Sequence, residues 1–425
     1  MLSLIIVLAT IILLILSILF FPTIKIGKIK VDSYWVIALI GAIILIASRS
    51  LSLDTIKDTF MSNSSINPIK ILILFISMTI LSIFLDEIGL FKYIALKSAN
   101  YLKSSQIKLF LGFYLLISIL TVFTSNDIII LTFTPFICYY CKNANIKPTP
   151  YLISEFVAAN TWSMFLMIGN PTNIYLASAF NINFVDYIKN MALPTLVGSI
   201  VSLIILLLIF YKSLKPKMQI YEEKTKPLNK FLLTIGLLHL ILCIILIAIS
   251  SYIHFEMWLI TLCFATSLIL ISLIYVIVTK NKDRYIIKTL KRAPYSLIPF
   301  VLSMFILVLA LSQNGYLTKL QTLLKDNFMY YGLSGALIAN LINNIPMSVL
   351  YSQVLEGMSL TSVYASIIAS NIAAFITPLG ALAGIMWMNL LKTYDIKMTF
   401  LNFVKYGIII GIPTLLASLS MLFFI

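Results

Sequence analysis

Histidine occurs twice in this chain of 425 residues and cysteine four times, and charged residues make up only 11% of it. An ordinary soluble domain carries roughly 25% charge, so an all-round hydrated surface is excluded. Two histidines leave acid–base chemistry few tools, and no H-E-x-x-H, G-x-S-x-G or Walker loop occurs. The chain is therefore read as a non-enzyme, with no catalytic residue, no metal site and no cofactor. Four cysteines make no disulfide framework. Acid is scarcer than base, 15 Asp and Glu against 30 Lys and Arg. The excess is not gathered into a patch with interleaved aromatics, so nucleic acid is excluded as a partner. It reads instead as a positive-inside bias.

What the chain has in plenty is apolar sequence. Hydrophobic residues make up 61%, and uncharged runs of about 17 to 25 residues recur along it, the signature of helices that span a bilayer. Spans are expected near 1–21, 31–48, 69–85, 107–141, 190–212, 231–250, 256–279, 294–312, 331–355 and 400–425. The stretches 151–180 and 358–392 are apolar but interrupted by Asn, Gly and Pro, and the Lys-rich stretches 88–106 and 313–329 suit interfacial amphipathic helices. The first run has no charge before it and no small-residue cleavage site after it, so it is read as a retained span.

Lys and Arg set the orientation. If loop 212–230 is cytoplasmic, so are 22–30, 86–108, 280–293 and 392–405, which together hold 22 of the 30 basic residues. The alternation closes only if 151–180 and 358–392 each enter and leave on one side. They are therefore expected to be re-entrant hairpins, with both termini outside a bacterial inner membrane.

One stretch, "TVFTSNDIIILTFTP" at 121–135, places Ser125, Asn126 and Asp127 at the middle of an apolar run, and "INNIP" at 342–346 does the same with Asn343 and Asn344. Downstream of each comes an interrupted stretch. The first, "AANTWSMFLMIGNPTNIYLAS", carries Asn160, Thr161, Gly169, Asn170, Thr172 and Asn173; the second, "ASNIAAFITPLGALAGIMW", carries Asn371, Thr377, Pro378 and Gly380. Asn160 precedes Gly169 by nine positions, as Asn371 precedes Gly380. Starts at 31, 69 and 107 are spaced like starts at 256, 294 and 331, and the charge count runs the two sets in opposite directions. That is an inverted-topology repeat. The expected fold is all-α and polytopic, with about ten spans and two hairpins. A scaffold span (1–30) leads into repeat 1 (31–212, hairpin 151–180), and a linker with a second scaffold span (213–255) leads into repeat 2 (256–425, hairpin 358–392).

Non-helical backbone at membrane depth is tolerated only inside protein or beside a water-filled cavity, and broken helices present free N–H and C=O groups to ions and polar solutes. The fifteen polar, Gly and Pro residues named above are the expected substrate and ion site. Asp127 is the acidic side chain placed near the midplane, where carboxylates are rare and usually functional, and it is the candidate for proton coupling. Among weaker candidates, "CYYC" at 138–141 reads as small apolar filler at the outer end of a span. His239 reads as a satisfied polar group between helices, and Glu155 as an interfacial residue.

The motifs "SND" with "ILTFTP", "NN-P", "ITPLGALAGIMW" and "YGIIIGIPTLLASLSMLFF" resemble those of the arsenite/antimonite efflux permeases (arsenical pump membrane proteins). More broadly they resemble the ion transporter superfamily, which also holds Na⁺/H⁺ antiporters and dicarboxylate and citrate carriers. The resemblance implies a secondary transporter working by alternating access on a small ion, coupled to H⁺ or Na⁺. Proton-coupled arsenite efflux is the leading expectation; a Na⁺/H⁺ antiporter or an anion carrier is the alternative. A homodimer and a separate ATPase subunit are both compatible with it. The chain departs from that family where acidic residues stand at the positions of Asn160 and Asn371, and "GNPTN" at 169–173 resembles the G-D-P-P-N pattern of other branches. Proton coupling accordingly falls on Asp127.

Overall fold

The computed structural model describes residues 2–26, 29–61, 67–102, 105–219, 221, 228–280 and 284–425. One order of elements occurs twice. The first pass runs α1 (Leu2–Phe20), α2 (Ser33–Ala47), α3 (Leu53–Met61), α4 (Pro68–Glu87), α5 (Leu90–Leu102), α6 (Gln106–Phe123), α7 (Asn126–Asn143), α8 (Thr149–Trp162), α9 (Pro171–Ala179) and α10 (Phe184–Leu214). The second runs α11 (Lys230–Ile249), α12 (Met257–Thr279), α13 (Tyr285–Arg292), α14 (Leu297–Gln313), α15 (Tyr316–Leu324), α16 (Phe328–Ile342), α17 (Asn344–Val354), α18 (Leu360–Ile372), α19 (Leu382–Thr393) and α20 (Phe400–Ser420). Each pass has short helices at its third and fifth places, a break between its sixth and seventh, and a 3₁₀ turn (Met167–Gly169, Ala373–Phe375) between its eighth and ninth. The architecture is that of an all-α, multi-pass membrane protein. One element was not foreseen: the loop after α1 folds as an antiparallel hairpin of β1 (Thr23–Ile26) and β2 (Ile29–Asp32).

Cross-chain hydrogen bonds fix which broken elements turn back. Gln106, at the start of α6, donates to the Pro216 carbonyl, and the Ala144 carbonyl, just past α7, accepts from the Gln219 amide. Both ends of α6–α7 therefore lie against one loop on one face, and Phe113 packs on Tyr140 with ring centres 6.1 Å apart. In the second pass the Tyr331 hydroxyl reaches the Val354 carbonyl, and Asp326 accepts from the Ser359 amide and the Ser362 hydroxyl. The hairpins are thus α6–α7 and α16–α17, not 151–180 and 358–392 as the charge alternation suggested.

Those two stretches are instead spanning helices broken at mid-depth. α8 starts beside Gln106, where Tyr151 bonds its side chain at 3.1 Å, and the segment just past α9 lines a cleft with Lys70 at the opposite end of α4. α18 starts beside Asp326, and α19 ends near Arg292. Among the described residues, eight continuous helices and two broken ones make ten crossings, with one hairpin entering from each face. Six of the described helices singly, and α13 with α14 taken together, meet the length and hydropathy of a span.

The correction moves Lys142 and Lys147 to the face that already held most of the basic loops. Only Arg49, Lys57, Lys70, Lys189, Lys319 and Lys325 remain on the other face by sequence. The positive-inside bias is therefore stronger than the sequence count gave. In a cysteine-free background, single cysteines at 145 and 219 are expected to be labelled from the same side of the membrane, and cysteines at 320 and 356 from the other. Labelling of 145 together with 320 would remove the hairpin assignment.

Candidate functional site

Four breaks meet at mid-depth, and each has a local cause. Between α6 and α7 the chain leaves helical backbone at Thr124 and is extended at Ser125, so α7 starts afresh at Asn126. Asn343 takes a φ of 80° with a ψ of 153°, a conformation that residues with a side chain rarely adopt, and its Oδ1 caps α17 by accepting from the Ile345 amide. Asn170 caps α9 by accepting from the Thr172 amide, and Pro171 follows at the first helical position. In the last break the Thr377 hydroxyl oxygen accepts from the Leu379 amide. Gly169 and Gly380 are needed for close approach. A Cβ would stand 2.3 Å from the Ser163 carbonyl oxygen at the first and 2.1 Å from that of Ala373 at the second.

The duplicated amides come together, mostly on one another. Asn126 donates to Asn160 Oδ1 at 2.9 Å, tying the first hairpin tip to α8. Asn371, fully buried on α18, accepts from Ser163 at 2.8 Å and from Asn170 at 3.1 Å, and donates to Asn173 Oδ1 at 2.6 Å. Thr172 and Ser370 are joined at 3.0 Å. At the second tip, Asn344 donates to the Ser370 carbonyl and Asn343 to that of Leu379. Asn371 thus stitches the two broken helices across the bundle. Each hairpin's returning arm packs on the far half of the other pass's broken helix, α7 on α19 and α17 on α9. Thr161 is buried with its hydroxyl unpartnered among the described residues, and Pro378 lies against Gly384, where a Cβ would stand 2.7 Å from the Pro378 carbonyl oxygen.

Of the expected residues, Ser125 and Asp127 line a cavity of about 300 Å³. It opens at the basic face, between Pro22, Thr23, Asp32 and Arg292, and ends at mid-depth at the hairpin tip. Tyr34 and Ser296, bonded at 2.8 Å, and Asn389 add polar lining. Burial pushes the Asp32 carboxyl above its ordinary range. Arg292 is already engaged, 2.8 Å from Asp86 and 2.6 Å from Glu87, and Asp86 also accepts from Thr132 of α7. On the opposite face a cleft of about 360 Å³ is lined by Lys70, Asn181, Ser250, His254, Glu256 and Trp258. There the hydrogen bond from Lys70 holds the Glu256 carboxyl below its ordinary range. Both voids run along α4, and between them lies a small apolar void lined in part by Phe75, Tyr175, Leu297, Val301 and Ile345.

Sequence reasoning missed Asp32, Tyr34, Arg292, Ser296 and Asn389, because they come from loops and span ends. It also missed Asn340, three residues before the second break, whose buried Oδ1 has no partner among the described residues. A polar residue repeating at i, i+3 in an apolar run was the available signal. His239 is satisfied by the Ile235 carbonyl and Ser267, as expected. Cys138 and Cys141 are buried filler, though at the basic face. Glu155, expected at the interface, is fully buried.

The sequence profile of the family described as citrate transporter matches residues 12–377. A Bacillus subtilis (strain 168) protein provisionally named as an arsenical pump membrane protein is 26% identical over 91% of this chain and 93% of its own length. The arsenical pump membrane protein of Escherichia coli is 24% identical over 82% and 84%. Among solved structures, the Alcanivorax borkumensis YdaH transporter has the same fold, with a TM-score of 0.57 and 15% identity over 99% of this chain and 96% of that one.

Proposed function

The chain belongs to the citrate transporter family, and from that membership and the cavity at Asp127 we propose that it is a proton-coupled secondary transporter expelling arsenite or antimonite from the cytoplasm. The basic face is the cytoplasmic one, and the fold stands open to it. The two passes, 31–212 and 256–425, are the inverted halves whose relative movement carries the site across. Ser125 and Asp127 at the first tip, with the amide and hydroxyl clusters behind them, form the binding region.

The observation that carries this reading is the charge of the cavity. Two carboxylates, Asp32 and Asp127, line it, and its arginine is held by two other carboxylates. A neutral trihydroxy species binds hydroxyl and amide groups without needing a counter-charge. The names of the bacterial relatives favour the same substrate. The second reading, a citrate-type anion, is favoured by the family description. It would require an anion to enter a carboxylate-lined cavity with no free arginine, a like-charge approach that costs affinity.

Flux into everted vesicles discriminates. Arsenite is expected to accumulate under an imposed pH gradient, inside acid, with sodium absent, and excess citrate is expected not to compete. Sodium-dependent uptake, or citrate uptake with arsenite ignored, would replace this reading by one of the alternatives.

A further inference from the structure

Glu155 stands apart from everything assigned above. It lies on α8, about a turn and a half from Asn160 toward the basic face, and is fully buried. Its Oε1 accepts from the Thr134 hydroxyl at 2.9 Å. Its Oε2 is sealed from solvent and meets no partner at full hydrogen-bond geometry among the described residues; the indole N–H of Trp387 on α19, itself without another partner there, is the donor that faces the carboxyl. No ion pair within the described residues reaches Glu155. The titratable side chain facing it is Cys138 of α7, and no charged group of α6, α10, α18, α19 or α20 acts on it. An ionised carboxylate so placed lacks the pairing that buried charges need.

The position is informative. Asp127, Leu131 and Thr134 follow one another at helical spacing on α7, and the first two line the cavity. On α19, Met386 and Asn389 line it on either side of Trp387. Glu155 thus touches Thr134 of α7 and Trp387 of α19, two helices that both line the cavity. Pro135, next to Thr134, removes one ladder hydrogen bond of α7 at that height.

We propose that Glu155 is a second proton-carrying carboxyl of the transport cycle, loaded through the α7–α19 seam. The inference rests on the proton-coupled reading of the cavity but uses a different group. The step is a proton transfer only. When the seam parts, Oε2 takes a proton from hydronium, forming its O–H bond and leaving water. When the moved halves open the seam to the other side, the proton returns to water. Asp127 exchanges its proton against substrate in the cavity, while Glu155 carries one behind it.

The test is the accumulation limit in everted vesicles at zero membrane potential, which does not depend on how fast the carrier turns over. Each proton exchanged per substrate allows about a tenfold concentration ratio per unit of pH gradient. Glu155→Gln, which keeps the bond to Thr134, is expected to lower the limit for arsenite about tenfold at a one-unit gradient. Glu155→Asp is expected to restore it. An unchanged limit in the Gln variant overturns the proposal.

A second measurement needs no substrate. In purified protein, the infrared carbonyl band of a protonated carboxyl should titrate in the wild type and be missing from Glu155→Gln. If the two proteins show the same titrating bands, Glu155 carries no proton. If wild-type vesicles accumulate no arsenite but the band difference is present, the substrate reading falls and Glu155 stands.

Discussion

Asp127→Asn is expected to abolish accumulation of substrate against a gradient while leaving measurable substrate exchange. The amide keeps the size of the carboxyl and its place in the first turn of α7, and it removes the ability to take up and release a proton. Asp127 faces the cavity, and among the described residues no side chain pairs with it. A carboxyl in that position can hold either a proton or the approach of a solute, and alternation between the two is what couples their movements. The competing view is that Asp127 only favours the N-terminal dipole of α7, worth roughly 0.3–1 kcal/mol at such a site. Asn is a good residue near helix starts, so under that view the variant would still pump uphill in response to a pH gradient. Everted-vesicle uptake of arsenite with an imposed gradient separates the two, and continued pumping would end the coupling role.

The sequence made the breaks legible but not the turns. Ser125–Asp127, Asn343–Asn344, the Asn160–Gly169 pair and the Asn371–Gly380 pair all mark interruptions where the structure has them. A run of about 35 residues with a polar middle, however, can be a kinked span or two arms of a hairpin, and local propensity is the same for both. Loop charge was the available arbiter. Exchanging hairpin and broken span within a repeat changes the side of one loop and of no other. In the first repeat that loop holds Lys142 and Lys147; in the second, residues 355–359 hold no Lys or Arg at all. Two lysines among thirty basic residues were too small a signal beside the interruptions by Gly and Pro, which suggested turning back. The cavity was illegible for a different reason. Asp32, Arg292 and Asn389 lie far apart in sequence and converge only once α7 packs on α19. Glu155 misled by its nearness to a polar loop, since its burial depends on Thr134 and Trp387 arriving from other helices.

Asn371→Ala is expected to be the most damaging of the amide substitutions, and to act on stability as well as transport. From α18, Asn371 makes three side-chain bonds to the other broken helix. Its Oδ1 receives Ser163 and Asn170, and its Nδ2 gives to Asn173 and to the Ile367 carbonyl. Alanine leaves the Asn170 amide and the Asn173 carbonyl oxygen buried and without that partner. Each stranded group costs about 1–3 kcal/mol. Ser163 suffers less, because its hydroxyl also reaches the Asn160 carbonyl. Asn160→Ala removes one such bond, that from Asn126, beside its own link to the Phe156 carbonyl. Thermal unfolding in detergent should therefore fall by several degrees in Asn371→Ala and by clearly less in Asn160→Ala. Ser125→Ala, whose hydroxyl makes no side-chain bond among the described residues, should unfold near wild type. Vesicle transport should be lost in Asn371→Ala even at wild-type expression, since α8–α9 and α18–α19 would no longer be held in one register at the site. Were Asn160→Ala the less stable protein, or Asn371→Ala indistinguishable from wild type, the amide network would not be what joins the two halves at mid-depth.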